Sequence, residues 1–246
     1  DGGIGMLQAL GFGFWNRDGK QAAFGAKGLE GLVRITDDTV LPELAECRFR
    51  IACDVSNVLC GPQGCSAVYG PQKGADAAMV EQMDGWMESY ALLAKQKYAA
   101  ADPRKEGTGA AGGLGFAFLT FLNGVLEPGI GIVLDETGME QHIRNADMVI
   151  TGEGRLDGQT AMGKAPAGVA RLAKKYEKPV IALAGSLAKE ASNCNREGID
   201  AFFSILPGAV SLDEAMNPQN AKANLADTAE QVFRLWNTSL HYSREQ

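Results

Sequence analysis

The chain has 246 residues, with 23 Lys and Arg against 30 Asp and Glu, a formal net charge of −7 and 46% hydrophobic residues. That balance excludes wholesale disorder and argues against non-specific nucleic-acid binding, which needs clustered cations; the length allows one large domain or two small ones with cores that need no staples. The longest apolar stretch, Leu114 to Leu126, is broken by Thr120, Asn123 and Gly124 and is shorter than the ~20 residues that span a bilayer.

The opening, Asp1-Gly2-Gly3-Ile4-Gly5-Met6, has neither an initiator Met nor a signal peptide, and reads as the middle of a longer protein whose N-terminal part is absent. A glycine-rich turn leads into the apolar run Met6 to Phe14. Leu32-Val33-Arg34-Ile35 and the stretch Phe49 to Val55 read as short strands. Residues 75–99 lack Gly and Pro apart from Gly85, and Met79, Met83, Trp86, Met87, Tyr90 and Leu93 recur at the spacing of one face of an amphipathic helix. The polar segment Ala101 to Glu106 ends it, and Gly112 to Leu126 reads as a buried helix with a glycine-rich start.

The second half alternates regularly. A short helix is expected over Gly138 to Asn145, a strand over Asp147 to Thr151 ending in a loop, and a helix over Pro166 to Tyr176, with proline well placed in its first turn. Pro179 to Ala184 is a second strand, ended by Gly185-Ser186. A helix follows over Leu187 to Asn195, then a third strand over Asp200 to Leu206. Residues 221–240 form a closing helix with Leu225, Ala229, Val232 and Trp236 on one side. Such alternation predicts a parallel sheet covered on both faces. Ligands of such sheets sit at the carboxyl ends of strands, marked here by Thr151, Ala184-Gly185 and Leu206-Pro207.

The five cysteines, Cys47, Cys53, Cys60, Cys65 and Cys194, are odd in number and lack C-x-x-C spacing, so they read as free thiols of a reducing cytosol. With only His142 and His241, histidine triads and histidine-rich metal sites lose support.

Three stretches carry residues suited to chemistry. The first runs from Ala52 through Cys53-Asp54-Val55-Ser56-Asn57 to Pro62, and on through Gly70-Pro71-Gln72-Lys73-Gly74. Asp54 stands near the end of an apolar strand. A carboxylate there is either buried and paired or aimed at a ligand, where it accepts a hydroxyl proton or holds a metal ion. Asn57 and Lys73 are its polar neighbours in sequence. The second stretch, Gly107 to Gly115, contains G-x-G-x-x-G at Gly107, Gly109 and Gly112, followed by Gly113. It follows a polar segment and not a strand, against a dinucleotide fingerprint. A turn offering backbone N–H groups to a phosphate, or close helix packing, fits better.

The third stretch, Thr151 to Pro166, lies between a strand and a helix and reads G-x-x-x-x-G-K from Gly158 to Gly163 and Lys164. Backbone amides at a helix start, with a lysine, suit an anion. Ala165 replaces the Ser or Thr whose hydroxyl would hold magnesium, and Gly158 lies seven residues beyond Thr151. An anion-binding loop of another kind therefore fits better than a Walker loop, and a solvated surface loop is the alternative. Glu153 and Asp157 suit magnesium, or plain solvation.

Taken together and in order, ACDVSNVLCGPQGCSAVYGPQKGA, GTGAAGGLGFAF and ADMVITGEGRLDGQTAMGKAPAGVA resemble the bacterial-type glycerate kinase family, as does the opening DGGIGMLQALG. The likeness runs to about Leu240. It implies an ATP- and magnesium-dependent kinase of the cytoplasm that phosphorylates glycerate, with 2-phosphoglycerate the favoured product. It implies two α/β domains: a flavodoxin-like parallel-sheet domain, shared between an absent N-terminal part and residues 128–246, and an inserted domain over 1–127, with the active site in the cleft between them. The absent part would carry a strand and a Lys-Ser-containing loop.

The resemblance supports these positions as motif members, and their chemistry suggests the roles: the ATP phosphates fall to Gly107, Gly109, Gly112, Gly113 and Gly163, with Lys164 as the point charge. Asp54 activates the glycerate hydroxyl, and Glu153 and Asp157 hold magnesium or fix Lys164. Arg155, Lys73 and Asn57 are expected at the glycerate. The partner is then a small molecule, with neither nucleic acid nor membrane, and oligomeric state is not legible. A non-catalytic remnant that binds nucleotide or glycerate is the alternative, and a dehydrogenase using the 107–112 glycines is a more distant one.

Overall fold

The structure, a computed structural model, describes the backbone of residues 1–243 and the side chains of residues 1–238. The side chain of His241 lies outside that range, and His142 is exposed. The chain divides into two compact units, Asp1–Gly129 and the residues from Ile130 onward.

In the first unit, the opening glycines lead into α1 (Ile4–Ala9) and then β1 (Gly13–Asn16), which pairs antiparallel with β2 (Leu32–Thr36). The next strand, β3 (Arg50–Ala52), is shorter than its apolar run. It pairs in parallel with β4 (Val125–Glu127) in the register Arg50↔Val125, Ile51↔Leu126 and Ala52↔Glu127, and Arg50 clamps Glu127 through two bonds of 2.9 and 2.8 Å. Parallel pairing needs a crossover. It is supplied by α2 (Cys65–Tyr69), α3 (Ala77–Lys95) and α4 (Ala110–Phe121). Val125 and Leu126, expected in a helix, are strand residues because the chain breaks before them: Asn123 adopts φ 51° and the Gly124 amide donates back to the Phe118 carbonyl at 2.9 Å.

α3 starts where Asp76 accepts from the Met79 amide at 2.8 Å, replacing an orphan helix-start partner. Its buried face is Met87, Tyr90, Ala91 and Ala94, whereas Met79 is exposed because the first turns extend into solvent. Tyr90 is wholly buried. Its ring lies 5.3 Å from Phe116 and 6.0 Å from Phe14, and its hydroxyl donates to the Gly2 carbonyl at 3.3 Å. This aromatic cluster fixes α3, α4 and the opening turn to one another.

The second unit is built on α5 (Gly129–Glu136, whose first residue is the last of the first unit), α6 (Met139–Asn145) and a three-stranded parallel sheet in sequential order: β5 (Val149–Leu156), β6 (Val180–Leu187) and β7 (Ala201–Ser204). Both β5 and β6 run past their expected ends, so the carboxyl edge lies at Leu156 and Leu187, not at Thr151 and Ala184. Between β5 and β6 come α7 (Gly158–Ala161) and α8 (Ala165–Lys174); Ala167, Ala170 and Ala173 on α8 are fully buried, and small side chains let this helix lie close on the sheet. Residues Lys189–Glu197, expected as an α-helix, form a 3-10 helix. Burial on both faces holds for central β6, where Ala182 and Leu183 are both covered, and fails at edge strand β5, where Ile150 is exposed. α9 (Leu212–Met216) and α10 (Pro218–Ser243) close the chain; Val232 of the expected face is buried and Leu225 is not. All five cysteines are free. No described helix is long and apolar enough to cross a membrane.

Removing the ring at the centre of the first core tests its weight. Phe116→Ala is expected to lower the unfolding free energy by about 3–5 kcal/mol through lost burial and a residual cavity. Urea unfolding read by tryptophan fluorescence, with Trp15 and Trp86 in the same unit, measures it.

Candidate active site

Two constellations carry the candidate residues, one in each unit. In the first, β3 ends at Ala52 and the Cys53 amide still donates to the Glu127 carbonyl at 2.9 Å. Asp54 then turns out of the ladder and accepts from the Gly129 amide through Oδ1 at 2.9 Å. Gly129 is the first residue of α5, so this carboxylate satisfies a helix-start donor with one oxygen. Asp54 is exposed, and Oδ2 takes no hydrogen bond among the described residues.

The glycine-rich segment lies directly against this strand end. A Cβ at Gly107 would come within 2.7 Å of Leu126 and 3.0 Å of the Cys53 sulfur, and its φ is +81°. The Gly109 amide donates to the Asn57 carbonyl at 2.9 Å. The 52–57 and 107–113 stretches, read separately in the sequence, are therefore one main-chain structure. The Asn57 side chain is engaged outside both stretches: Oδ1 accepts from the Tyr69 hydroxyl at 2.7 Å and Nδ2 donates to the Gln63 carbonyl at 3.3 Å.

Ala111, Gly112 and Gly113 are all left-handed, with φ of 49°, 69° and 95°. For Ala111, which has a Cβ, that conformation costs about 1–2 kcal/mol. Gly112 has open space around it, while Gly113 packs so tightly that a Cβ would meet the Gly2 Cα at 2.7 Å. Gly109 and Gly113 are buried and Ala111 is exposed. Lys73 is exposed on a 3-10 turn, Pro71–Lys73, after α2.

In the second unit the expected strand-to-helix loop is mostly not a loop. Residues 152–156 continue β5, which places Glu153 opposite Ala184 and Arg155 opposite Ser186 on one strand face. Only Asp157 to Lys164 connects strand to helix, and it contains the turn of α7. Asp157 caps that turn: Oδ1 accepts from the Gln159 amide at 2.9 Å and the Thr160 amide at 3.2 Å, while the Thr160 hydroxyl accepts from the Asp157 amide at 3.1 Å. The amides a Walker loop would offer to phosphate are thus taken by a carboxylate, which rules out that geometry for the G-x-x-x-x-G-K stretch.

The fully buried Thr160 hydroxyl donates to Glu153 Oε1. Lys164, at the N-cap of α8, brings Nζ to 3.9 Å from Asp157 Oδ1 and is 44% exposed. Gly163 precedes it at φ +120°. At the far end, Arg171 donates to the Ala161 carbonyl at 3.4 Å and to Glu197 at 2.6 Å, bracing the loop from α8. Arg155 is exposed.

The electrostatics agree with this grouping. Partial desolvation raises the Asp157 carboxyl, but the Thr160 and Gln159 amides, Lys164 and the Thr160 hydroxyl outweigh it and hold the group below the usual carboxylate range. Burial pushes the Cys194 thiol up, and the charges of Glu153 and Asp157 push it further, as expected if both carboxylates lie on its side of the sheet.

Magnesium takes one or two carboxylates together with water and substrate phosphate. Glu153 and Asp157 flank one hydroxyl, and neither Glu153 Oε2 nor Asp157 Oδ2 accepts a hydrogen bond among the described residues, so the pair fits an ion shared with a substrate. It does not fit an all-protein cage: no group of three or more His, Cys, Asp or Glu side chains that could hold a metal ion occurs among the described residues. Sequence reasoning missed Thr160 and Arg171. Thr160 was findable, since D-x-x-T after a strand is a capping-box spacing.

Comparison with known proteins gives a consistent picture. The model of the "Glycerate kinase family" matches residues 1–237. The chain is 43% identical over 232 residues to a glycerate kinase of Bacillus subtilis, covering 94% of this chain and 60% of that protein. It is 43% identical over 233 residues to a glycerate 2-kinase of Escherichia coli, covering 93% and 61%. A crystal structure from Salmonella typhimurium LT2, provisionally assigned as glycerate kinase 2, superposes with a TM-score of 0.81 at 41% identity, covering 98% of this chain and 61% of that one. The chain therefore spans about three fifths of the length of these relatives.

The Asp157 cap gives a pH signature. Its folded pKa is depressed, so its contribution is fully present above the unfolded value of about 3.9 and is lost as pH falls through the folded value. Asp157→Ala is expected to lower the thermal midpoint at pH 7, with the gap to wild type closing as pH drops below about 4, measured by circular dichroism melts across pH.

Proposed function

The chain belongs to the glycerate kinase family, and from that premise we propose that its protein transfers the γ-phosphoryl group of ATP to the 2-hydroxyl of glycerate. The observation that carries this reading is the family match across residues 1–237, which takes in all three chemistry-bearing stretches. In this reading the sheet of the second unit is part of a flavodoxin-like domain, and the reaction is shared between the Asp54 constellation and the Lys164 constellation.

Phosphoryl transfer needs alignment and charge neutralisation more than covalent chemistry. The glycerate hydroxyl oxygen attacks the γ-phosphorus, the bond to the β–γ bridging oxygen breaks, ADP leaves, and the hydroxyl proton passes to Asp54. The Gly129 amide holds Asp54 through Oδ1, which supports Oδ2 as the accepting oxygen. The main chain of Gly107 to Gly113, with Gly163, faces the phosphates in this reading: the Gly109, Gly113 and Gly163 amides already donate to the Asn57, Gly109 and Thr160 carbonyls and shape the turns, the Gly107 and Gly112 amides are left as donors among the described residues, and Lys164 supplies a point charge. The Asn57 side chain is engaged on both sides of its amide by Tyr69 and Gln63, and its main-chain carbonyl accepts from Gly109, so in this reading it acts by holding the site's main chain and not by touching glycerate. The substrate carboxylate falls to Arg155 or Lys73, both exposed cations. Glu153 and Asp157 would hold magnesium, which would supply charge neutralisation on the phosphates.

The other reading is a protein of the same fold that binds nucleotide or glycerate without turnover. A coupled assay of glycerate-dependent ADP release on the full-length protein separates the two. Activity is expected; nucleotide binding without ADP release establishes the other reading. In the active protein, Asp54→Asn should lower kcat by ~10²-fold or more with KM for ATP little changed. Lys164→Ala should raise KM for ATP, lower kcat or do both. A near-wild-type rate for Asp54→Asn removes it as the base, and unchanged kinetics for Lys164→Ala return that lysine to the solvated surface.

A further inference from the structure

We propose that Thr160 is a positioning residue of the phosphoryl-transfer site: its hydroxyl locks the Glu153 carboxylate of β5 to the Asp157–Lys164 loop, so that the strand-borne and loop-borne charges meet the nucleotide and its magnesium as one rigid set. The proposal rests on the kinase reading for the identity of the ligand. Its geometry is independent of that reading.

Thr160 is 0% exposed and makes both kinds of bond a hydroxyl can make. It accepts from the Asp157 amide at 3.1 Å and donates to Glu153 Oε1. A helix cap alone explains the first bond. It does not explain the second, in which the hydroxyl proton goes to a carboxylate seven positions back in another element in preference to Asp157 Oδ1, which lies farther off at 3.4 Å. That carboxylate would otherwise sample several rotamers over the face of β5. Through this one oxygen, Glu153 is tied to the same turn that holds Asp157, whose other contact is the Lys164 ammonium at 3.9 Å. Arg171 fixes the loop's opposite end through the Ala161 carbonyl. The oxygens left over, Glu153 Oε2 and Asp157 Oδ2, are therefore held in fixed relation to each other, and preorganised ligands bind a shared cation without ordering cost at the moment of binding.

The test compares wild type, Thr160→Val, Thr160→Ser and Glu153→Gln in the full-length protein. Titration calorimetry measures ADP binding with and without Mg2+. Mg2+ is expected to tighten ADP binding to wild type. Thr160→Val keeps the shape and removes the hydroxyl; it should lose at least ten-fold of that tightening, while metal-free ADP affinity stays within about two-fold and Thr160→Ser restores the wild-type pattern. A merely structural residue would move both affinities together. Glu153→Gln should show the same loss, and the double variant Thr160→Val with Glu153→Gln should lose no more than either alone, because the hydroxyl acts through that carboxylate.

Wild-type Mg2+ tightening in folded Thr160→Val overturns the proposal, as does a wild type that shows none. If Thr160→Val does not fold, Glu153→Gln decides: unaltered Mg2+ tightening there leaves Thr160 no charge to position. Glycerate phosphorylation is assayed separately. Its absence alongside the expected binding pattern removes the kinase reading and leaves the positioning role standing.

Discussion

The constraint on which both constellations depend is the unsatisfied backbone N–H at a helix start. In each unit a parallel strand ends, an aspartate follows within two residues, and its carboxylate takes the first amides of the next helical segment in space. Asp54 takes that of Gly129 at α5; Asp157 takes those of Gln159 and Thr160 at α7. An aspartate is well suited to this because it accepts without donating and because negative charge is stabilised where the helix dipole is positive. The consequence for chemistry is that each carboxylate is fixed in direction by one oxygen and presents the other. A ligand then meets a charge whose rotamer is already set.

Fixing carboxylates is only half of a phosphate site, since anions also need donors. In the kinase reading the donors of the first unit are main-chain amides, and the turn that carries them forms because side chains are missing. Gly107 and Gly109 sit where the backbone lies against the end of β3 and the 57–58 segment. A methyl group at Gly107 would strike Leu126 and Cys53, so the segment could not approach Asp54's strand with alanine there. Ala111 shows the opposite balance: it holds a left-handed conformation at a cost of about 1–2 kcal/mol, against the ~0.4–1 kcal/mol of extra chain entropy a glycine would bring to the unfolded state. The second offsets about half of the first, so alanine is tolerated at this exposed position, whereas at buried Gly113 a Cβ would also strike Gly2.

The parallel sheet, its sequential strands and the amphipathic α3 were legible because hydrophobic periodicity reports directly on burial. The ends of β5 and β6 were not. Gly152, Gly154 and Gly185 read as loop residues, yet in a parallel pair Gly152 and Gly185 permit close strand contact; a Cβ would lie 2.2 Å from the Leu183 carbonyl oxygen at the first and 2.6 Å from the Gly154 carbonyl oxygen at the second. Glycine thus signals two opposite things, a turn or a tight ladder, and only the partner strand tells which. For the same reason the G-x-x-x-x-G-K spacing misled: its first glycine opens a helical turn already capped by Asp157. The motif residues themselves were legible as a set, but which side chains were spent internally, such as Asn57, and which faced outward required coordinates.

Thr160 and Lys164 illustrate how interaction strength divides labour within one loop. The Lys164–Asp157 pair is long, at 3.9 Å, and its lysine is 44% exposed. Water screens such pairs, and they contribute little to folding. In the kinase reading, an ammonium held so loosely would exchange its partner for a phosphate at small cost. Arg171, by contrast, brings Nε and Nη2 onto one oxygen of Glu197, at 2.9 and 2.6 Å, while Nη2 also reaches the Ala161 carbonyl, so three charge-assisted contacts hold it. The loop is therefore anchored by the interactions a ligand cannot replace, the buried hydroxyl and the forked guanidinium, and it keeps its exchangeable charge on the one contact that solvent already weakens.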